Sequence, residues 1–267
     1  MKKLISVAMT MILGPAAVCQ AAVVVDFESP TYTASANYSG VDGWTGSPTF
    51  ARVSPDPLQS GYNWTIYGQS ATQIGAGPMQ RAWGGAASGI TTAGFEVSVD
   101  MMRPENPANA SGAWFVYDGA NNRAGVQFDW GDNGKQVFIW TGGSYQLIPT
   151  GTISWSHLNA YRTKLTFDLT PGANTVTATI QNLGTIAYPD VAPPGPDGGA
   201  GPVINLGTWP LAGGEYTPLL AQGGGVRTVS LVGATVYDNI ALTAAIPEPA
   251  VLSLVAVGAA GLMRRRS

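Results

Sequence analysis

Cysteine, histidine and charge are all scarce in this chain. Cys19 and His157 are the only members of their types among 267 residues, and charged residues make up 11 %. One cysteine closes no disulfide within the chain. One histidine and one cysteine fall short of the four ligands a structural zinc site takes. Lysine and arginine total 13 against 16 acids, a net charge of −3, and no basic patch lies outside the two ends. Nucleic acid is thereby excluded as a partner. Carboxylate chemistry is also thin. Before the last twenty-one residues the only glutamates are Glu28, Glu96, Glu105 and Glu215, and no two share a strand at the close spacing that a retaining glycosidase needs. The nearest imitation is Glu96 and Asp100 on one strand face, which reads as a solvated surface. His157, in Ser154-Trp155-Ser156-His157, has no nucleophile-elbow motif to serve. Helical periodicity is scarce, and no blade repeat argues for a propeller.

What the chain does have begins at its ends. Lys2 and Lys3 precede the apolar stretch Leu4–Leu13, Gly14-Pro15 breaks it, and small residues run to Ala21-Ala22. This pattern predicts a secretory signal peptide over residues 1–21 and passage through the Sec export machinery. Val18 directly before Cys19 is a poor lipobox, so lipidation is not expected. Cleavage near Ala21 or Ala22 leaves a cysteine-free mature chain, stabilised by core burial alone. The last residues read Pro247-Glu248-Pro249, an apolar stretch from Ala250 to Met263, then Arg264-Arg265-Arg266-Ser267. The prolines cannot continue a helix or strand. The apolar stretch spans about 21 Å as a helix, against a hydrocarbon core of roughly 30 Å. It suits a transient membrane handle better than a lasting anchor.

Residues 246–267 resemble the PEP-CTERM sorting signal of Gram-negative bacteria. The resemblance implies an exosortase that recognises Pro247, Glu248 and Pro249 and cuts the tail. Arg264, Arg265 and Arg266 would hold its end on the cytoplasmic side. It further implies transient membrane insertion of the tail, a destination in the cell envelope, outer surface or extracellular matrix, and the company of exopolysaccharide and biofilm production.

Between the signals, residues 22–245 suit one all-β domain. Hydrophobic residues reach 45 % of the chain, with 35 glycines and 19 prolines for turns. Phe95, Val97, Val99 and Met101 alternate with Glu96, Ser98 and Asp100. Leu165, Phe167 and Leu169 alternate with Lys164, Thr166 and Asp168. Val176, Ala178 and Ile180 alternate with Thr175, Thr177 and Thr179, the wet face of an amphipathic strand. Val126–Trp130, Gly131-Asp132-Asn133-Gly134 and Lys135–Trp140 read as a hairpin, with Trp114–Tyr117 pairing before it. Val23–Phe27 opens the domain, and Val226–Val232 and Thr235–Leu242 close it. The expectation is a two-sheet antiparallel sandwich, a jelly roll. Loops are expected at Ser54–Gly61 and, without regular structure, at Ala187–Pro202.

Val25-Asp26-Phe27-Glu28 and Val236-Tyr237-Asp238-Asn239-Ile240-Ala241-Leu242 look like the first and last strands of concanavalin A-like jelly rolls. The resemblance implies that the two ends pair side by side. It also implies a structural calcium, with Asp26, Asp238 and Asn239 as oxygen ligands.

Function is read from the aromatics. Flat indoles and phenols cover the apolar faces of sugar rings, and Trp44, Trp64, Tyr67, Trp83, Trp114, Trp130, Trp140 and Trp155 are candidates. Each has an alternative place in the core of a cysteine-free sandwich. The surface expected to bind is near the Val126–Trp140 hairpin, with Trp130, Trp140, Tyr145 and Asp129 as ligand-binding residues. The expectation is an exported, non-catalytic protein that binds exopolysaccharide. A divergent polysaccharide lyase or glycosidase on the same fold, or a purely structural surface protein, are the alternatives.

Overall fold

The computed structural model describes residues 23–33, 36, 38–46, 51–54, 69–73, 78–82, 94–103, 111–117, 123–130, 136–142, 144–149, 151–153, 159–170, 172–186, 196–197, 200–211, 228–233 and 235–244. Both terminal signals, the 131–134 turn, Glu105, Glu215, His157, Trp64, Tyr67, Trp83 and Trp155 lie outside them. Sixteen strands occur among the described residues: β1 Val23–Val25, β2 Trp44–Gly46, β3 Ala51–Ser54, β4 Ser70–Gln73, β5 Met79–Ala82, β6 Gly94–Met102, β7 Ser111–Tyr117, β8 Arg123–Asp129, β9 Gln136–Thr141, β10 Tyr145–Ile148, β11 Asn159–Asp168, β12 Thr175–Ile186, β13 Pro196–Asp197, β14 Val203–Pro210, β15 Thr228–Gly233 and β16 Thr235–Ala244. One sheet runs β13-β12-β11-β6-β16-β4-β3, with β1 on β16 and β14 on β12. The other runs β10-β9-β8-β7-β15-β5-β2. Every pairing is antiparallel. The all-β, two-sheet sandwich expected from the alternation is the architecture observed.

The period-2 pattern decides which side chains meet between the sheets. Phe95, Val97, Val99, Met101, Leu165, Phe167, Val176, Ala178 and Ile180 are buried from the nine-stranded sheet. Trp114, Val116, Val126, Phe128, Val137, Ile139, Val229 and Leu231 face them from the seven-stranded sheet. Phe95 stacks on Phe167 with ring centroids 4.4 Å apart. Burying one such side chain contributes about 1.5–3 kcal/mol, the term on which a disulfide-free sandwich depends.

Trp114, Trp130 and Tyr237 bring polar groups into the core that are paired across the sheets. Trp114 Nε1 donates to Thr163 Oγ1 at 2.8 Å, and that hydroxyl donates to the Val99 carbonyl at 3.0 Å. Trp130 Nε1 donates to Thr235 Oγ1 at 3.0 Å. Gly112 makes room for this contact, because a Cβ there would occupy the space of the Thr235 side chain. Tyr237 sends its hydroxyl to the carbonyls of Val232 at 2.7 Å and Ala113 at 2.9 Å.

The two ends of the domain lie side by side, Val23 opposite Leu242 and Val25 opposite Ile240. Along the same edge β16 pairs first with β4, through Thr235–Tyr237, and then with β1. The handover falls at a register shift against β6 after Asp238, where Asn239 takes the left-handed conformation, φ 45°. Asparagine tolerates that region better than most side chains.

Two expectations are corrected. Within Ala187–Pro202, Pro196 and Asp197 form a short strand opposite Ile186 and Thr185. Proline is tolerated there because the strand is an edge and Pro196 is its first residue. Asp100 is not a solvated surface acid. It is fully buried and gripped by Arg162, Nε to Oδ1 at 2.7 Å and Nη2 to Oδ2 at 2.8 Å. Alternation placed Asp100 on the outward face correctly. What alternation does not report is cover on that face.

Candidate binding face

The outer face of the seven-stranded sheet collects aromatic side chains from three strands. Antiparallel register sets Phe115 of β7 opposite Gly125 of β8, Gly125 opposite Trp140 of β9, and Trp140 opposite Tyr145 of β10. In the neighbouring row Ala113, Gln127, Phe138 and Leu147 follow one another across the same strands. Gly125 lets the rings close ranks. A Cβ there would run into the Phe115 ring and the Trp114 carbonyl, the close approach for which strands use glycine. Phe115 and Trp140 meet edge to face at 5.8 Å, Trp140 and Tyr145 are tilted at 5.3 Å, and Phe138 meets the Tyr145 ring edge-on at 5.3 Å. Phe115 is buried at the β7 end of this row, Phe138 and Trp140 are half-buried, and Tyr145 and Leu147 are 55 % and 50 % exposed. The result is an aromatic strip open to solvent at the β9–β10 end.

Polar groups frame the strip. Trp140 Nε1 donates to Gln127 Oε1 at 3.1 Å, which fixes the indole plane. Beside Trp140 lies a shallow depression of about 150 Å³ lined by Ser111, Gly112, Ala113, Phe115, Gln127, Trp140, Val232 and Gly233. Asp129, half-buried, follows Gln127 two residues along β8. It is the only carboxylate among the described residues of this sheet's strands.

Of the residues expected to bind ligand, Trp140 and Tyr145 share this face and Asp129 borders it. Trp130 does not. It is 4 % exposed, stacks on Phe128 at 4.6 Å and sends its indole N–H inward to Thr235. Val126, Phe128 and Trp130 do share one side, as their spacing required, but that side is the interior. Trp44 and Trp114 are likewise fully buried, Trp44 within a cluster of Phe27, Tyr32 and Tyr38. Sequence reasoning missed Phe115, Phe138 and Gln127. The available signal was the alternation of Gln136, Phe138 and Trp140, together with the glycine at 125.

The residues implied for calcium form a different structure. Asp238 is buried. Its Oδ2 accepts from Ser70 Oγ at 3.1 Å and its Oδ1 from the Asn239 N–H at 2.8 Å. The Asn239 amide donates to Asp100 Oδ2 at 3.1 Å. Asp26 is exposed, and its Oδ1 accepts from the Glu28 N–H at 3.2 Å. Among the described residues no three acids or histidines gather as a cation would require. Ca²⁺ takes six to eight oxygens, whereas here the carboxylate oxygens already face proton donors. This donor set does not fit the ion. It is a hydrogen-bonded lock on the β16 register shift. Burial raises the Asp100 carboxyl above its ordinary 3.8 despite Arg162. The Arg162 side chain is 42 % exposed, so water screens its attraction.

No family model and no curated protein matches this chain. Among solved structures it is similar to the CBM2 module of the evolved Dit of Lactobacillus casei phage J-1, at 13 % identity over 87 % of this chain and 100 % of that one, with a TM-score of 0.46. It is similar to the metal-free form of lectin I-B4 from Griffonia simplicifolia, at 9 % identity over 84 % and 98 %, with a TM-score of 0.42. A third is an immunostimulatory antigen and pseudo β-1,3-glucanase of Mycobacterium tuberculosis, at 13 % identity over 84 % and 98 %, with a TM-score of 0.44. The likeness is one of fold alone.

Proposed function

We propose that this chain is an exported surface or matrix protein whose sandwich binds polysaccharide, without cleaving it, on the outer face of the seven-stranded sheet. The observation that carries the reading is the strip Phe115–Trp140–Tyr145–Phe138. Its rings touch in sequence, from the buried Phe115 through Trp140 to the exposed Tyr145, with Phe138 against the tyrosine. Such a surface buries the C–H faces of sugar rings at little entropic cost, since each ring is already held by its neighbours. Affinity on so shallow a face is modest, because little area is desolvated. Asp129 as the sole carboxylate among the described residues of the sheet's strands supports the non-catalytic side of the reading, since glycoside hydrolysis uses two. By the PEP-CTERM resemblance, the polymer is one of the organism's own envelope, and an exosortase removes residues after the Pro247-Glu248-Pro249 signal.

Affinity electrophoresis through gels containing soluble polysaccharides tests the binding reading. Retardation of the wild-type protein by at least one polymer, with no release of reducing ends, is expected. Free migration in every gel, or measurable depolymerisation, contradicts it. For the sorting half, intact-mass spectrometry of material from the native host is expected to show both terminal segments gone. Recovery of all 267 residues contradicts that.

A further inference from the structure

The polar contact that selects a ligand on this face is Gln127, we infer, acting as a hydrogen-bond donor to a neutral sugar. The inference rests on the polysaccharide-binding reading of the aromatic strip. Its starting point is the 3.1 Å contact between Trp140 Nε1 and Gln127 Oε1. An indole N–H donates and never accepts, so the amide must turn its oxygen to Trp140. The amide NH₂ is therefore the end left for the depression beside the indole. It has no hydrogen-bond partner among the described residues, and its half-buried side chain lines that depression with Gly112, Ala113 and Gly233.

This places an oriented pair of N–H donors at the edge of an aromatic platform. A pyranose lying on Trp140 and Tyr145 presents hydroxyl oxygens at its rim, and such an oxygen accepts from Gln127 Nε2. The contact costs little ordering, because Trp140 already holds the amide in one orientation. The donor at this edge is an uncharged amide that needs no counter-charge on its ligand, and Asp129 stands two residues along β8 on the same face. The ligand class is thus an uncharged polysaccharide read by stacking plus one amide donor, with no metal in the contact.

The test uses the full exported protein with hydroxyethylcellulose, xyloglucan and galactomannan as neutral probes and polygalacturonate as the acidic one. Gln127→Glu keeps an acceptor for Trp140 but removes both donors. It is expected to weaken retention by the best neutral probe by roughly tenfold, with the melting temperature unchanged. Gln127→Met, of similar shape, is the second variant should the charge disturb folding, and the same loss is expected. Tyr145→Ala separates the two ideas. If Tyr145→Ala loses binding while both Gln127 variants bind as wild type, the donor role is overturned and the aromatic reading stands. Wild-type binding to polygalacturonate in preference to every neutral probe overturns the neutral class. No wild-type binding to any probe overturns the reading beneath both.

Discussion

At the residue scale, the decisive contrast is between two tryptophans ten positions apart. Trp130 and Trp140 have the same composition-level claim to a sugar, one just after β8 and the other on β9. Register separates them, since one side of the hairpin faces the other sheet and its opposite side faces water. Trp130 stacks on Phe128 and bonds Thr235 inside the sandwich. Truncation to alanine should cost about 3–5 kcal/mol of stability, measured by chemical denaturation. A cost below about 1 kcal/mol would show that the side chain is not packed as described. Tyr145 is the opposite case. Its ring is more than half exposed, and exposed substitutions usually change stability by no more than about 0.5 kcal/mol.

At the scale of elements, the register shift on β16 shows what was legible in the sequence and what was not. The alternation of Val97, Val99 and Met101 with Ser98 and Asp100 was enough to make β6 a strand, and the likeness of the two end strands was enough to set β1 beside β16. The change of partner from β4 to β1 was not legible, because β4 is four residues long and too short to show a period. β14 was missed for a related reason. It is an edge strand with Val203 exposed and Ile204 only half-buried, so its hydrophobic pattern is diluted. The aromatic strip was legible in part. Trp140 and Tyr145 stand out by type, but their convergence with Phe115 depends on pairing across β8 at Gly125, a long-range fact. The buried Asp100–Arg162 pair was illegible because cover on an outward face leaves no periodic trace.

The Asp100–Arg162 pair between β6 and β11 carries a pH signature. The folded chain holds the Asp100 proton more tightly than the unfolded chain, because burial raises its carboxyl above 3.8. For a raised acid the folded state binds more protons through the window between the two values, so stability falls as pH rises through it. Asp100→Asn removes that titration. The melting temperature of the variant minus that of wild type should grow more positive as pH rises above the ordinary 3.8. A difference that is flat or shrinks with pH would mean that Arg162 outweighs burial.

At the scale of the whole molecule, the sandwich divides its labour between sheets. The nine-stranded sheet joins the two ends of the domain and carries paired charges, Asp100 with Arg162 and Glu96 with Lys164. The seven-stranded sheet carries one carboxylate among its described residues and an open aromatic strip. A disulfide-free fold tolerates that exposed strip because the core beneath it is independent of it, running through Trp114, Val126, Phe128 and Ile139. The central claim is that the strip is a sugar-binding surface. Its most direct measurement is titration of wild type and Tyr145→Ala with the neutral polysaccharide that retards the wild type most, alongside their melting temperatures. The account predicts at least a tenfold loss of affinity, about 1.4 kcal/mol, with melting temperatures that coincide. Equal affinity of a folded Tyr145→Ala variant and wild type would contradict it.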